Sequence, residues 1–188
     1  MKSLISTLVA ILMFALPSLA MASSGYKLVP VENTAVEEES DWQFRSGARI
    51  GYVYAHNSHQ PDPKTGEESL VESPHMFSIG FEMQQVLDGG SWLDLIMIEG
   101  VSLTGLDQSV AAPSARILMG FEINDVLQIA VGPNLSAHDP SGEGNILHLI
   151  GALGVSLQAG KFTVPLHIAF MPDKNKYSVF ALTTGINW

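Results

Sequence analysis

From Trp42 to the C-terminus, large apolar residues alternate with small or polar ones at a period of two, as in β-strands with one face in an apolar medium. The last stretch shows it most cleanly. Phe180, Leu182, Thr184, Ile186 and Trp188 share one parity, and Val179, Ala181, Thr183, Gly185 and Asn187 share the other. Seven earlier segments repeat the pattern. The first sets Trp42, Phe44, Ala48, Ile50, Tyr52 and Tyr54 against Arg45, Gly47, Arg49, Gly51 and Val53. The second sets Phe77, Ile79, Phe81 and Met83 against Ser78, Gly80, Glu82 and Gln84. The third is less regular, with Leu93, Leu95, Met97, Val101 and Leu103 against Asp94, Gly100 and Ser102. The apolar faces of the next four run Ala115 to Ile123, Leu127 to Leu135, Leu147 to Leu157 and Phe162 to Phe170.

The connections alternate in length. Asp88-Gly89-Gly90, Asn124-Asp125 and Ala159-Gly160-Lys161 read as hairpin turns, whereas the other connections are longer and polar. An even number of strands, with short turns at one end and long loops at the other, predicts an all-β fold: an eight-stranded antiparallel up-and-down transmembrane β-barrel.

Alternation alone leaves open which face is outside. A soluble lipocalin-like barrel would turn the apolar face inward. Three features favour the reverse. The polar face is rich in Gly, Ala and Ser and carries no Lys, since Lys27, Lys64, Lys161, Lys174 and Lys176 lie in the tail, turns or loops. Small residues suit a narrow, side-chain-filled lumen. Aromatics gather at strand ends: Trp42, Phe44, Trp92, Phe121, Phe162 and Trp188 at the short-turn end, and Tyr52, Tyr54, Phe77, Phe170 and Phe180 at the long-loop end. Three residues resist the pattern. Glu99 has lipid-face parity in mid-strand while Ile96 and Ile98 have lumen parity; a bulge near 96–100 would re-aim all three. Pro133 and Pro165 each remove a ladder donor; Gly132 suggests a bulge at the first, and the second has no evident accommodation.

Residues 1–22 read as a cleaved secretory signal peptide, with Lys2, an apolar run and the small-x-small site Ala20-Met21-Ala22. Residues 23–41, with Glu37-Glu38-Glu39, read as a flexible acidic periplasmic lead-in, and 42–188 as the barrel. After cleavage, eight Lys and Arg face 19 Asp and Glu, leaving −11 in place of the −10 of all 188 residues. Such a chain is a poor nucleic-acid partner. Zero Cys excludes disulfides, thiol catalysis and cysteine-bound zinc.

In residues 42–188 the pattern resembles the small eight-stranded bacterial outer-membrane barrels of the OmpX and OmpA transmembrane-domain type. Phe180, Leu182, Thr184, Ile186 and Trp188 are similar to the C-terminal signal read by the barrel-assembly machinery, with Trp188 where Phe is usual. The resemblance implies the cell outer membrane as location, outer-membrane lipid, lipopolysaccharide and the assembly machinery as partners, and a monomer.

The lumen parity carries three cations and three anions: Arg45, Arg49, Arg116, Glu82, Asp94 and Glu122. An ion path would use such groups, but an eight-stranded interior is too narrow for a channel, and a paired network filling it is the expectation. His148 and His167 share the lumen, too far out of register for one metal ion. At the outer end, His56 and Ser58 share lipid-side parity with His75 and Ser178. With Glu72, or Glu99, they offer a hydrolytic triad. This resembles the His-x-Ser-Asn motif of outer-membrane lipid A deacylases, except that His59 replaces Asn and the motif is on the first strand. His56, His59, His75 and His138 have no fixed metal-ligand spacing. No catalytic residue, metal or cofactor is expected under the leading reading, a barrel acting in envelope integrity or surface interaction through its outer loops. The alternatives are the lipid-modifying hydrolase and the soluble ligand-binding barrel.

Overall fold

A computed structural model of the chain describes residues 42–61, 66, 68–137, 146–173 and 178–188. The signal peptide, the acidic lead-in and His138 lie outside the described residues. Eight strands follow one another: β1 (Trp42–Ala55), β2 (His75–Leu87), β3 (Leu93–Thr104), β4 (Ala112–Ile123), β5 (Leu127–Ser136), β6 (Leu147–Ala159), β7 (Phe162–Met171) and β8 (Val179–Asn187). A short 3₁₀ turn, Leu106–Gln108, lies between β3 and β4. Each strand pairs antiparallel with the next, and β8 pairs with β1, so the sheet closes into an up-and-down barrel. Every strand therefore has two neighbours and the sheet has no open edge.

Local chemistry fixes the short turns. Asn124 and Asp125 take φ 52° and 57°, and the Val126 amide donates to the Ile123 carbonyl at 3.1 Å, which makes a type I′ hairpin. Gly90 and Gly160 supply positive φ in the other two turns.

The apolar face is outside. Ile50, Met119 and Ile168 are 54%, 57% and 57% exposed, whereas Glu82 and Glu122 are 1% and 0% exposed. Glu99 is the one Asp, Glu, Lys or Arg among the outward strand positions. The lipocalin-like arrangement, with its apolar face inward, is excluded by this sense of the sheet.

The three irregular positions are resolved without bulges. The β2–β3 and β3–β4 ladders run unbroken through residues 96–100. Ile96 and Ile98 stay inward and are fully buried, packing with Val86, Leu118 and Ala130. Glu99 stays outward, where the Gln85 side-chain amide donates to it at 3.4 Å. A bulge near 96–100, which would have re-aimed Glu99, is therefore absent. At Pro133 the β4–β5 ladder skips from Arg116↔Asn134 to Met119↔Val131 and resumes in the same register. A bulge would have shifted that register by one. At Pro165 the β7–β8 ladder likewise skips from Thr163↔Asn187 to Leu166↔Thr184 without a shift. An antiparallel residue directs its N–H and C=O toward a single neighbour. Each proline thus interrupts one ladder, while the β5–β6 and β6–β7 ladders on their other sides continue. The carbonyl of Pro165 accepts the Thr184 hydroxyl at 2.9 Å in place of a ladder amide.

The β1–β8 seam depends on close backbone approach. A Cβ on Gly47 would lie 1.8 Å from the Ile186 carbonyl oxygen, and one on Gly185 would lie 1.9 Å from that of Ala48. Gly47→Val and Gly185→Val are each expected to prevent closure, read as loss of the compact, heat-modifiable band after refolding into detergent micelles. Normal folding of both variants would contradict the seam geometry.

Candidate functional site

The inward parity of the strands brings the six expected charged residues into the lumen, where five of them form two linked clusters. In one, Glu82 is held between two guanidinium groups. Arg49 Nη2 lies 2.8 Å from its Oε1, and Arg116 Nη2 lies 2.6 Å from its Oε2. The Gln84 amide also donates to Oε1 at 2.9 Å, and His167 Nδ1 stands 3.8 Å away. Arg49 Nη2 reaches Asn187 Oδ1 at 2.6 Å, and its Nη1 donates to the Ala48 carbonyl at 3.1 Å. In the other cluster, Arg45 Nη1 donates to Glu122 Oε2 at 2.8 Å. The Gln128 amide bridges the two: it donates to Glu122 Oε2 and to Gln84 Oε1, and its own oxygen pairs with His167 Nε2 at 2.6 Å. Asp94, opposite Glu122 in the β3–β4 ladder, accepts the Gly89 amide of the β2–β3 turn at 2.9 Å.

These contacts join β1, β2, β4, β5, β7 and β8 across the barrel axis. A buried charge without a partner costs several kcal/mol. Here each carboxylate of the network has at least one guanidinium partner, apart from Asp94. Beside the network, Val86, Ile96, Ile98, Leu118, Ala130 and Ile150 fill the lumen with apolar side chains. Among the described residues the middle of the interior is a packed core. The charges were legible as a set. Gln84, Gln128, His167 and Asn187 were legible only as members of the inward face, because their partners lie on strands far away in sequence.

Toward the long-connection end the lumen opens into a cavity of about 130 Å³, with Arg49 and Arg116 among its walls together with Ser78, Ser102, Ser114 and Thr183. The part of the β1–β2 connection around Val71 folds over it. Val71 is 2% exposed and packs on Val53, Ala55 and Met76. That connection is pinned from the β3–β4 side. Gln108 Oε1 accepts the Glu72 and Ser73 amides, each at 2.9 Å, and Gln108 Nε2 donates to the Ser73 and His75 carbonyls at 3.1 and 2.6 Å. Asp107 Oδ1 accepts the Phe77 amide at 2.9 Å. Nothing in the sequence pattern marked these two residues.

The outer triad does not assemble. β1 ends at Ala55, and Asn57 takes φ 61°, so the alternation stops before Ser58. Ser58 turns inward, is 4% exposed and donates its hydroxyl to the Ala55 carbonyl at 2.9 Å. His56 remains exposed outside, with Nδ1 3.2 Å from the Tyr54 hydroxyl. Glu72 is exposed on the connection, and Ser178 accepts the Asp173 amide at 3.2 Å. The shared lipid-side parity expected for His56 and Ser58 is thus corrected: they point to opposite sides of the barrel wall. His75 instead pairs with the Tyr52 hydroxyl, and its ring centroid lies 5.2 Å from that of Tyr54. Phe180, Leu182 and Ile186 of β8 and Trp188 just after it are exposed, and the Trp188 ring centroid lies 6.2 Å from that of Phe81.

No family model matches the chain, and no curated protein matches it. Among solved structures it is similar to the Yersinia pestis outer membrane protein Ail in a phospholipid bilayer nanodisc, at 13% identity and a TM-score of 0.42, covering 78% of this chain and 100% of that one.

Glu82→Leu strands two guanidinium groups in the lumen. It is expected to destabilise the barrel by about 3–5 kcal/mol in urea unfolding from lipid vesicles. Replacing Arg49 and Arg116 with Met in the same variant is expected to restore most of that loss. A separate variant, Gln108→Ala, is expected to raise proteolytic nicking of the β1–β2 connection while leaving global unfolding nearly unchanged.

Proposed function

We propose that the chain is a small outer-membrane barrel protein without enzymatic activity. It acts in envelope integrity or surface interaction through the connections at its outer end. The observation that carries this reading is the outward face. Its apolar side chains form a continuous belt with one carboxylate, Glu99, while the charged residues are inside. Water would penalise such a belt by roughly 25 cal/mol for each Å². Soluble monomers seldom expose apolar patches above a few hundred Å². A hydrocarbon phase removes the penalty. Exposed aromatics at both ends fit the two interfaces: Trp42, Phe44, Trp92, Phe162 and Trp188 at one, and Tyr52, Phe77, Phe170 and Phe180 at the other.

A filled lumen argues against transport, and the separation of His56 from Ser58 argues against acyl hydrolysis at that position. What remains for chemistry with the surroundings is the outer surface. There Gln108 of the β3–β4 connection holds Glu72 and Ser73 of the β1–β2 connection, and Asp107 holds Phe77 near the start of β2, which gives a partner a shaped surface. The closed sheet offers no edge for a second copy, in keeping with a monomer. Residues 1–22 would direct export, and Phe180, Leu182, Thr184, Ile186 and Trp188 would present the signal for the assembly machinery. Outer-membrane lipid and lipopolysaccharide would surround the belt.

Envelope fractionation with unheated and boiled gel samples tests this reading. The protein is expected in the outer-membrane fraction, migrating faster unheated than boiled; recovery as a soluble periplasmic protein would contradict it. Trp188→Asp is expected to lower the assembled fraction, measured as the heat-modifiable band per total protein.

A further inference from the structure

The short-turn end of the lumen holds an electrostatic imbalance that the network does not correct. Asp94 and Glu122 stand directly opposite each other in the β3–β4 ladder, both inward and both buried, at 5% and 0% exposure. Like charges opposite each other in a sheet repel, and more so away from water. Arg45 offsets one of them, through Glu122 Oε2. The other oxygen, Glu122 Oε1, is buried and has no hydrogen-bond partner. A third carboxylate joins from the β4–β5 turn, where the αL conformation of Asp125 brings it beside the other two. One oxygen from each of Asp94, Glu122 and Asp125 lies within 4.8 Å of the others. Three carboxylates against one guanidinium leave a local charge of −2, which one divalent cation would neutralise.

We propose that Asp94, Glu122 and Asp125 form a calcium site at the short-turn end of the barrel, with the unpartnered Glu122 Oε1 as its buried ligand. Ligand character favours calcium over magnesium: Ca²⁺ takes about six to eight oxygens in a flexible geometry and suits three protein carboxylates, whereas Mg²⁺ keeps several of its waters and usually takes only one or two carboxylates. Asp125 is exposed and provides the entry path, while water and its own carboxylate complete an all-oxygen shell. Bound there, the ion would tie β3, β4 and the β4–β5 turn together and relieve the Asp94–Glu122 repulsion. The site lies at the opposite end from the connections invoked for surface interaction and does not rest on that reading.

The test uses the full barrel refolded in non-ionic detergent free of lipopolysaccharide, with terbium as probe. Trp92, two residues before Asp94, is the sensitiser. Saturable terbium emission is expected, displaced by sub-millimolar Ca²⁺ and only by roughly tenfold or more Mg²⁺. Asp125→Asn keeps a residue type that tolerates positive φ, so the heat-modifiable band should persist while calcium affinity falls by roughly tenfold or more. Asp88→Asn, in a different turn, should titrate like the parent. Absence of saturable emission from the folded parent would overturn the proposal, and so would an Asp125→Asn variant that binds calcium as the parent does.

Discussion

The carboxylate of Glu82, buried near the barrel axis between Arg49 and Arg116, sets the terms for the rest of the structure. A charge there is tolerable only with partners arriving from several strands at once, and a closed sheet delivers them. Arg49 comes from β1, Arg116 from β4 and His167 from β7, while Gln128 of β5 carries the connection on to Glu122. Once the polar and charged side chains are committed inward, every second residue must point outward, and those residues are apolar. Belt and network are two consequences of one alternation. A slip of one residue in a strand would send its inward polar residues to the outside and its apolar ones to the lumen, as with Glu82 of β2, Gln128 of β5 or His167 of β7. That explains why Pro133 and Pro165 interrupt ladders without shifting them.

The two ends of the barrel differ in kind. At the long-connection end the lumen widens into a cavity, and the chain around Val71 is drawn over it, with Glu72 and Ser73 stapled by Gln108. At the short-turn end the chain reverses within a few residues, and Asp94, Glu122 and Asp125 come close together.

Most of the architecture was legible because it depends on local periodicity. The parity of Arg45, Arg49 and Glu82, the Asn124-Asp125 turn and the outward Phe180, Leu182 and Ile186 can all be read without knowing what they face. The misreadings arise where the deciding partner is remote. Glu99 looked misplaced because its neighbour Gln85 belongs to another strand, so a bulge stood in for an unseen contact. Pro165 had no account because the Thr184 hydroxyl that serves its carbonyl is on β8. His56 and Ser58 looked co-facial because parity was carried past the end of β1, where the left-handed Asn57 ends it. Gln108 left no periodic trace, since its value lies in two carbonyls and two amides of a different connection.

The central claim is the sense of the sheet, with apolar side chains toward lipid and charged ones toward the axis. The chain has no Cys, so single cysteines can be placed and spin-labelled cleanly. The most direct measurement is a scan through residues 115–121 of β4 in lipid vesicles, comparing collision rates with oxygen and with a water-soluble nickel complex. The account predicts an oxygen-rich, nickel-poor signal at 115, 117, 119 and 121, alternating with immobile, oxygen-poor positions at 116 and 118; Gly120 is left unlabelled, because a Cβ there would lie 1.8 Å from the Ile129 carbonyl oxygen. The opposite phase, or no period of two, would contradict it.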